Sequence, residues 1–459
     1  IRSPRRPPTC IDATAATPYA GHGTKAYRAY VLFALLVVYT FNFIDRVVIS
    51  IIQEPIKTEF GLTDFQLGLL GGPAFAVLYT FLGIPIARMA EKRSRMTILS
   101  ICLALWSLMT ALCGVATSYV TLLAARIGVS VGEAGCTPPA QSVISDYFPA
   151  TSRATAISIY ALGVPIGSAL AAIGGGYIAQ YLGWRQAFLI LGIPGLVLAM
   201  LVFFTVKEPP RAGGVELKTP SFLEAFGELS RKATFWHVAL GSAMASFVGY
   251  GVGQYLNSFL MRTHGLNILQ ASQLTGAVLG VAAAVGTFFA GWLSDRIVKR
   301  HPNALAWLPA LGFAICTPLY LVGYMAPSLY IGIPFMVVGA ITHYFYLGCM
   351  YASVQGVSSP RIRATSTAVL LFIVNILGYG LGPPVIGALS DFLANTNLAA
   401  AGLTMADCGR TVAEANKAAC AVGQEFGLRW AIFIGLFGYL WAGAHFLFAW
   451  RTLRKDWVG

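Results

Sequence analysis

The stretches Asn42-Phe43-Ile44-Asp45-Arg46 and Arg126-Ile127-Gly128-Val129-Ser130-Val131-Gly132-Glu133-Ala134 place charged residues inside long apolar runs. An unpaired charge at the depth of a bilayer costs about 3 kcal/mol on insertion scales, so each charge here needs a partner. Arg126 and Glu133 are two helical turns apart and therefore share one face of a helix. Asp45 and Arg46 point about 100° apart on a helix, so one can face a cavity while the other stabilises the bundle.

These two acids and two bases predict a buried polar cluster between two membrane helices, and such a cluster indicates a transport site. Asp45 and Glu133 are the candidates for proton coupling. A carboxylate that contacts water from one side at a time can gain and lose a proton as its surroundings change. Asn42, Arg46 and Arg126 are candidate substrate-binding residues, and for Arg126 a purely structural role is an equal alternative.

The composition excludes an ordinary soluble protein. Hydrophobic residues make up 57% of the chain and charged residues only 11%, whereas soluble domains carry about 25% charged residues. The net charge of +13 arises from basic residues scattered through short loops and from few acidic ones. This pattern indicates membrane topology, and we expect no nucleic-acid partner.

Twelve apolar runs are each long enough to cross a bilayer, which takes about 20 residues. They fall at 29–52, 64–87, 95–116, 119–145, 153–180, 185–206, 235–261, 270–293, 304–325, 328–357, 364–392 and 428–450. The predicted fold is an all-α membrane protein with twelve transmembrane helices in two pseudo-symmetric six-helix bundles. Its predicted parts are a basic cytosolic tail (1–28), a first bundle (29–206), a cytosolic linker (207–234), a second bundle (235–453) with a long outer loop (393–427), and a cytosolic tail (454–459).

The distribution of basic residues orients the chain. With a cytosolic N-terminus, the inside segments hold 23 of the 31 Lys and Arg residues and the outside loops hold six. The positive-inside rule therefore predicts that both termini are cytosolic in the plasma membrane, or the inner membrane of a bacterium. Cys408 and Cys420 then lie in an outer, oxidising space and are a disulfide candidate, with two free thiols as the alternative.

The two halves repeat. Gly61-Leu62 matches Gly265-Leu266, and Arg153-Ala154-Thr155 matches Arg363-Ala364-Thr365. Duplicated halves of a membrane protein indicate a binding site at their interface and alternating access. We expect the second half to supply polar and aromatic residues to the other wall of the cavity, namely Tyr250, Gln254, Asn257, His343, Tyr346 and Asn375. For His343, a structural hydrogen bond between helices is favoured over the alternative of a proton relay.

The segment Gly291–Arg300 resembles the cytosolic signature loop of the major facilitator superfamily, and the resemblance covers about residues 29–453. Its first-half copy is eroded, with Ala87 in place of Gly and Glu91-Lys92 in place of Asp-Arg. The opening two stretches, together with Asp146-Tyr147-Phe148-Pro149, are similar to the spinster branch, and a bacterial homologue is expected. Ser130 departs from the Gly of that pattern. This resemblance implies transport of sphingosine phosphate or lysolipids.

The repeat also predicts a cytosolic gate. The signature loop of each half lies at the cytosolic helix ends of the other half, so Asp295, beside Arg296, should approach Arg153. Glu91 should likewise approach Arg363. Both contacts pair a carboxylate with a basic side chain or with the positive end of a helix.

We predict a secondary transporter of amphipathic, lipid-like molecules, coupled to protons and acting as a monomer among membrane lipids. The alternatives are an exporter of hydrophobic drugs or organic anions, a non-transporting lipid receptor, and a channel. The sequence lacks metal-ligand spacing, a nucleophilic triad and a phosphate-binding Gly-rich loop, so we expect neither an enzyme nor a cofactor.

Overall fold

The computed structural model describes residues 21–210, 222–298, 301 and 303–458. Within these ranges the regular secondary structure is entirely helical. The predicted N-terminal tail lies mostly outside them, and only its residues 21–28 are described.

Six helical passes form the first half. They are α1 (Lys25–Phe60), α2 (Asp64–Gly71 and Pro73–Lys92), α3 (Arg95–Gly114), α4 (Tyr119–Glu133 and Thr137–Tyr147), α5 (Ala150–Ala161, Gly163–Leu170, Ala171–Gly175 and Gly176–Tyr181) and α6 (Trp184–Thr205). A short linker helix follows at Phe222–Leu229.

Six further passes form the second half. They are α7 (Ala233–His264), α8 (Ile268–Gly276, Ala277–Val281 and Ala282–Val298), α9 (Ala304–Met325), α10 (Leu329–His343 and Phe345–Val357), α11 (Arg363–Ile373, Val374–Gly380 and Gly382–Ala399) and α12 (Lys417–Leu436 and Gly438–Asp456). Among the described residues, ten helices are long and apolar enough to span a membrane by length and composition; α4 and α7 are the two passes that fall outside that set.

The internal repeat is visible in the helix caps. Gly61 and Gly265 end α1 and α7 in the left-handed conformation, with φ of 66° and 65°, which glycine adopts at little cost. The next helices begin with equivalent capping boxes, Thr63 with Gln66 and Asn267 with Gln270. These residues join α1 to α2, and α7 to α8, through the same turn in both halves.

Several helices are interrupted where the sequence predicts continuous runs. The first segments of α4 and α10 follow capping serines, Ser118 and Ser328, and end at Glu133 and His343. At the α4 break, a Cβ on Gly132 would lie 2.6 Å from the backbone nitrogen of Trp106, so α3 and α4 pack backbone to backbone. Segments of π-helix interrupt α5, α8 and α11, and π-bulges are common at functional sites.

Two predicted loops differ in the structure. The loop predicted over 393–427 is shorter, because α11 continues to Ala399 and α12 begins at Lys417. The predicted linker 207–234 contains the linker helix, whose Glu228 carboxylate accepts hydrogen bonds of 3.0 Å from the Ser359 backbone and hydroxyl. We call the end of the molecule that carries residues 400–416 the disulfide end, and the opposite end the linker end.

Candidate functional site

The charged residues of α1 and α4 meet in the interior of the first half. We call Asn42, Asp45, Arg46, Arg126 and Glu133 the central cluster. The Arg46 Nε atom lies 2.7 Å from the Glu133 Oε2 atom. The Arg46 side chain is 19% exposed and that of Glu133 is fully buried. Asp45 is buried whereas its neighbour Arg46 is partly exposed, as the helical offset predicts.

Aromatic rings surround the Arg46 guanidinium. Its central carbon lies 4.6 Å from the ring centre of Tyr79, 4.7 Å from that of Phe75 and 5.2 Å from that of Phe43. These rings hold the cation by cation–π attraction. Phe75 in turn contacts Tyr379 of the second half, with ring centres 5.6 Å apart, so the charge lies where the two halves meet.

The central cluster contains polar atoms without hydrogen-bond partners among the described residues. Both side-chain atoms of Asn42, the Nε and Nη2 atoms of Arg126 and the Oε1 atom of Glu133 are buried in this way. Arg126 donates through Nη1 to the Asp45 backbone carbonyl over 3.2 Å. A buried polar group without a partner is costly, so this cluster has hydrogen-bonding capacity that a ligand, water or proton can use.

A second polar network joins the halves near the disulfide end. We call it the disulfide-end seal; its members are Gln53, Glu54, Lys57 and Asp64 of the first half and Gln254, Asn257, Ser258, Arg262, Ser390 and Asp391 of the second. Arg262 of α7 donates to Glu54 over 2.6 Å and to Asp64 over 2.8 Å. Lys57 contacts the same Asp64 at 2.5 Å. These ion pairs connect α1 and α2 to α7.

Neutral contacts complete the seal. Gln53 donates to Ser258 and to the Gln254 backbone carbonyl, while Gln254 donates back to Gln53 over 2.7 Å. Asp391 of α11 accepts from the backbone nitrogens of Asp64 and Phe65, over 2.9 and 2.8 Å. A carboxylate from the second half thus caps the N-terminus of α2, where the helix dipole favours negative charge.

The sequence analysis does not predict this network, because Lys57 and Arg262 fall just outside the apolar runs 29–52 and 235–261. The internal repeat contains a pattern from which this network can be predicted. Gln53 and Asn257 are separated by the same 204 positions as Gly61 and Gly265, and they lie where α1 crosses α7. Residues close to the axis of a twofold repeat lie near the equivalent residues of the other copy. Gln53 donates to Ser258, the neighbour of Asn257, and Asn257 donates to the carbonyl of Ile51, two residues before Gln53.

The second-half candidates separate into four groups. Tyr250 is 51% exposed and packs on Tyr379. Gln254 and Asn257, predicted to share the cavity wall with Tyr250, are instead buried in the seal, because α1 covers that part of α7.

His343 and Tyr346 are buried inside the second half with stacked rings, and the Tyr346 hydroxyl lies 3.3 Å from that of Ser246. Asn375 lies half-buried in the π-helical segment of α11.

The gate prediction remains a prediction, because the side chains of Glu91 and Asp295 lie outside the described residues. Arg153 donates to the Ser145 carbonyl over 2.8 Å, and Arg296 lies 4.0 Å from the ring centre of Trp292. Arg363 is the first residue of α11.

The linker end of the first half contains a further ion network that the sequence did not single out. Buried Arg95 pairs with Asp146 and, over 2.6 Å, with Glu208. The Glu208 carboxylate also accepts from the Met96 backbone nitrogen over 2.9 Å. This network joins the start of α3 and the end of α4 to the linker.

Cys408 and Cys420, the predicted pair, form a disulfide. It closes the loop that connects α11 to α12. Arg410 of this loop packs on Gly61 of the first half, where an added Cβ would lie 2.7 Å from the Arg410 backbone nitrogen. The disulfide loop therefore contacts the turn between α1 and α2.

Two repeated six-helix halves, a charged cluster that reaches the space between them and a polar seal at one end define a membrane transporter of the alternating-access type. The sequence profile described as Major Facilitator Superfamily matches residues 35–383. The chain belongs to this superfamily and resembles its spinster branch. It is a multi-pass membrane transporter of small molecules and not an enzyme.

Known proteins show the same relationship. An MFS-type efflux pump of Mycolicibacterium smegmatis is 33% identical over 82% of this chain and 87% of its own length. Protein spinster homolog 3 of Danio rerio is 27% identical over 81% of this chain and 78% of its own. The crystal structure of a bacterial homolog to the human lysosomal transporter Spinster, inward-facing and unoccupied, is 40% identical, with a TM-score of 0.88 over 95% of this chain and all of that one.

Proposed function

We propose that this chain is a proton-coupled secondary transporter that moves anionic, amphipathic, lipid-like molecules by alternating access. One observation carries the proposal. Arg46 is the cation of the central cluster that combines partial exposure, a carboxylate partner and aromatic surroundings. A guanidinium offers bidentate geometry to phosphate or carboxylate, and the neighbouring rings offer apolar surface to a chain beside the head group.

Proton coupling follows from competition within the cluster. An anionic head group that binds Arg46 displaces Glu133, which is fully buried and has one oxygen already unpaired. A carboxylate in that position is more stable when it is protonated. Asp45, buried beside Arg126, is the second proton acceptor in this proposal.

In this proposal, the disulfide-end seal defines the conformational state of the transporter. Since the disulfide end is closed by the contacts of Arg262 and Asp391, access to Arg46 is from the linker end. With both termini cytosolic in the bacterial inner membrane, this state faces inward. The protein acts as a monomer, in which each chain supplies both halves.

Export of hydrophobic drugs or organic anions is the second candidate. The similarity to a protein named as an efflux pump favours it. The same cavity would serve both functions, so the substrate must be identified by experiment.

The test uses the full chain in liposomes with labelled single-chain phospholipids, one anionic and one neutral. We expect a pH gradient to drive accumulation of the anionic lipid, and unlabelled lipid on the opposite side to accelerate exit of label, as in a carrier. Accumulation that is independent of the pH gradient would refute proton coupling. Binding without any movement would support a receptor, and exit without acceleration would support a channel. Mass spectrometry of the lipids that co-purify with the protein would narrow the substrate class.

A further inference from the structure

The second half contains its own buried titratable group, His343, at the position that corresponds to Glu133. The first segment of α4 follows Ser118 and ends at Glu133, and that of α10 follows Ser328 and ends at His343. Ser328 lies 210 positions after Ser118, and His343 lies 210 positions after Glu133. Asp45 of α1 likewise corresponds to Gly249 of α7, 204 positions later, and a Cβ on Gly249 would lie 3.0 Å from the His343 ring. The imidazole thus occupies the place that the carboxylates occupy in the first half.

His343 has an unused hydrogen-bonding nitrogen. Its side chain is 6% exposed. The Nδ1 atom lies 3.4 Å from the Tyr439 hydroxyl, whereas the Nε2 atom is buried without a partner among the described residues. The ring borders a cavity of about 30 Å³, which is large enough to hold a water molecule.

The cavity extends from the histidine towards the disulfide end. Tyr324 lies in the last turn of α9, next to the loop that begins α10, and Tyr320 lies one turn deeper. Ring centres are 6.1 Å apart between Tyr324 and Tyr320, and 6.4 Å between Tyr320 and His343. The two tyrosine rings therefore form a path of side chains from that end of the helix to the imidazole.

Every element around the imidazole contributes neutral groups. The titratable side chains that face it are Tyr320 and Tyr324 of α9, Tyr344 and Tyr346 of α10, and Tyr439 of α12; α7 and α8 contribute Gly249, Val252, Gly253, Val278 and Leu279. No Asp, Glu, Lys or Arg is among the described residues that line this cavity. A buried imidazolium without a counter-charge is costly, so His343 is neutral while the cavity is closed.

We propose that His343 is a second proton-binding site, which takes up a proton from the disulfide side when that end opens to water. Water that enters the path transfers a proton to the unpaired imidazole nitrogen, and the imidazolium returns this proton to the same water before the seal closes. This inference rests on the proposed alternating-access function. It adds a proton site in the second half, separate from Asp45 and Glu133.

Linkage provides the test, because a proton that binds better to the open state must favour that state. Spin labels are placed at Thr117→Cys and Tyr330→Cys, exposed residues near the disulfide end of each half, in a Cys10→Ser background. In lipid bilayers, lowering the pH from 8 to 5 should raise the fraction with long distances, by at most about tenfold per pH unit for one proton. His343→Gln should remove the part of the shift that is due to His343, whereas His445→Gln, a change in α12 away from this cavity, should leave the shift unchanged.

An unchanged pH response in His343→Gln would overturn the proposal. Should that variant fail to fold, a chain in which the other five histidines are Gln gives a ¹⁵N-histidine signal from His343 alone. We expect a neutral ring at pH 8 in both proteins, and a cationic ring that appears on acidification at a higher pH in Arg262→Gln than with the seal intact. A ring that stays neutral down to pH 5 in both proteins would reject the site. Neither readout needs a substrate, and the pH response of Asp45→Asn shows separately whether the central cluster contributes.

Discussion

The central cluster and the disulfide-end seal are both buried and charged, yet they are built differently. In the seal, Arg262 contacts two carboxylates, Asp64 contacts two cations, and Asp391 satisfies two backbone nitrogens. In the central cluster, atoms of Asn42, Arg126 and Glu133 remain unpaired. Complete pairing stabilises one arrangement of the halves, whereas incomplete pairing leaves capacity for a ligand. The four predictions below test this distinction.

The largest effect is expected from neutralising the carboxylates of the central cluster. Asp45→Asn should abolish transport driven by a pH gradient, and Glu133→Gln should reduce it strongly, because an amide neither releases a proton nor competes as an anion for Arg46. Both proteins should remain folded, since each replacement keeps the shape of the side chain, and Arg46, which loses its partner in Glu133→Gln, is 19% exposed and surrounded by aromatic rings. Gradient-driven uptake in liposomes measures the effect, and full uptake by both variants would show that the protons bind elsewhere.

A smaller loss is expected from Arg46. Charge-assisted hydrogen bonds contribute about 1.5–3 kcal/mol, so Arg46→Ala should weaken binding of an anionic single-chain phospholipid by roughly 10- to 100-fold and leave a neutral analogue unaffected. Since Ala would leave Glu133 buried and unpaired, the Arg46→Ala/Glu133→Gln double variant is the cleaner comparison. Arg46→Lys keeps the positive charge but loses the bidentate guanidinium geometry, so its affinity for the anionic phospholipid should lie between that of the wild type and that of Arg46→Ala. Equal losses for both lipids would mean that Arg46 acts structurally.

The seal should control the conformation and leave substrate chemistry unchanged. Removing one partner of a buried ion pair costs about 3–5 kcal/mol, and Arg262→Gln imposes that cost on the closed arrangement alone. Because Asp64 keeps Lys57 as a partner, we expect the low end of this range, which raises the ratio of open to closed molecules at the disulfide end by about two orders of magnitude. Distances between labels on the two halves provide the measurement.

A matched control exists at the same end. Arg185 pairs with Glu59 at 2.5 Å, but both residues belong to the first half, and the pair is about one-third exposed. Arg185→Gln should therefore leave the distances unchanged. If both variants open the molecule equally, general destabilisation is the cause and the seal has no specific role.

The sequence predicted the parts of this molecule that depend on local chemistry. Helix passes follow from apolar length, the repeat from matched turns such as Gly61 and Gly265, and the central cluster from charges at membrane depth. The seal was missed, because Asp64 and Arg262 are 198 positions apart and meet only through the packing of α2 on α7. The break after Glu133 was missed for a similar reason, since it depends on how closely α3 approaches Gly132.

The smallest effect is expected at the disulfide loop, which tests whether the seal extends beyond its ion pairs. Cys408 and Cys420 close a loop of about a dozen residues, for which chain entropy predicts a stabilisation near 3 kcal/mol at most. That stabilisation is confined to the segment that presents Arg410 to Gly61, so Cys408→Ser/Cys420→Ser should leave the fold intact. We expect it to raise the open fraction by a factor well below that of Arg262→Gln. The two effects should not add fully in the combined variant, because both act on contacts between the same turn and the second half. Mild reduction of the wild-type protein should reproduce the change and expose two thiols to a membrane-impermeant alkylating reagent, whereas thiols accessible without reduction would show that the bridge is not formed in the membrane.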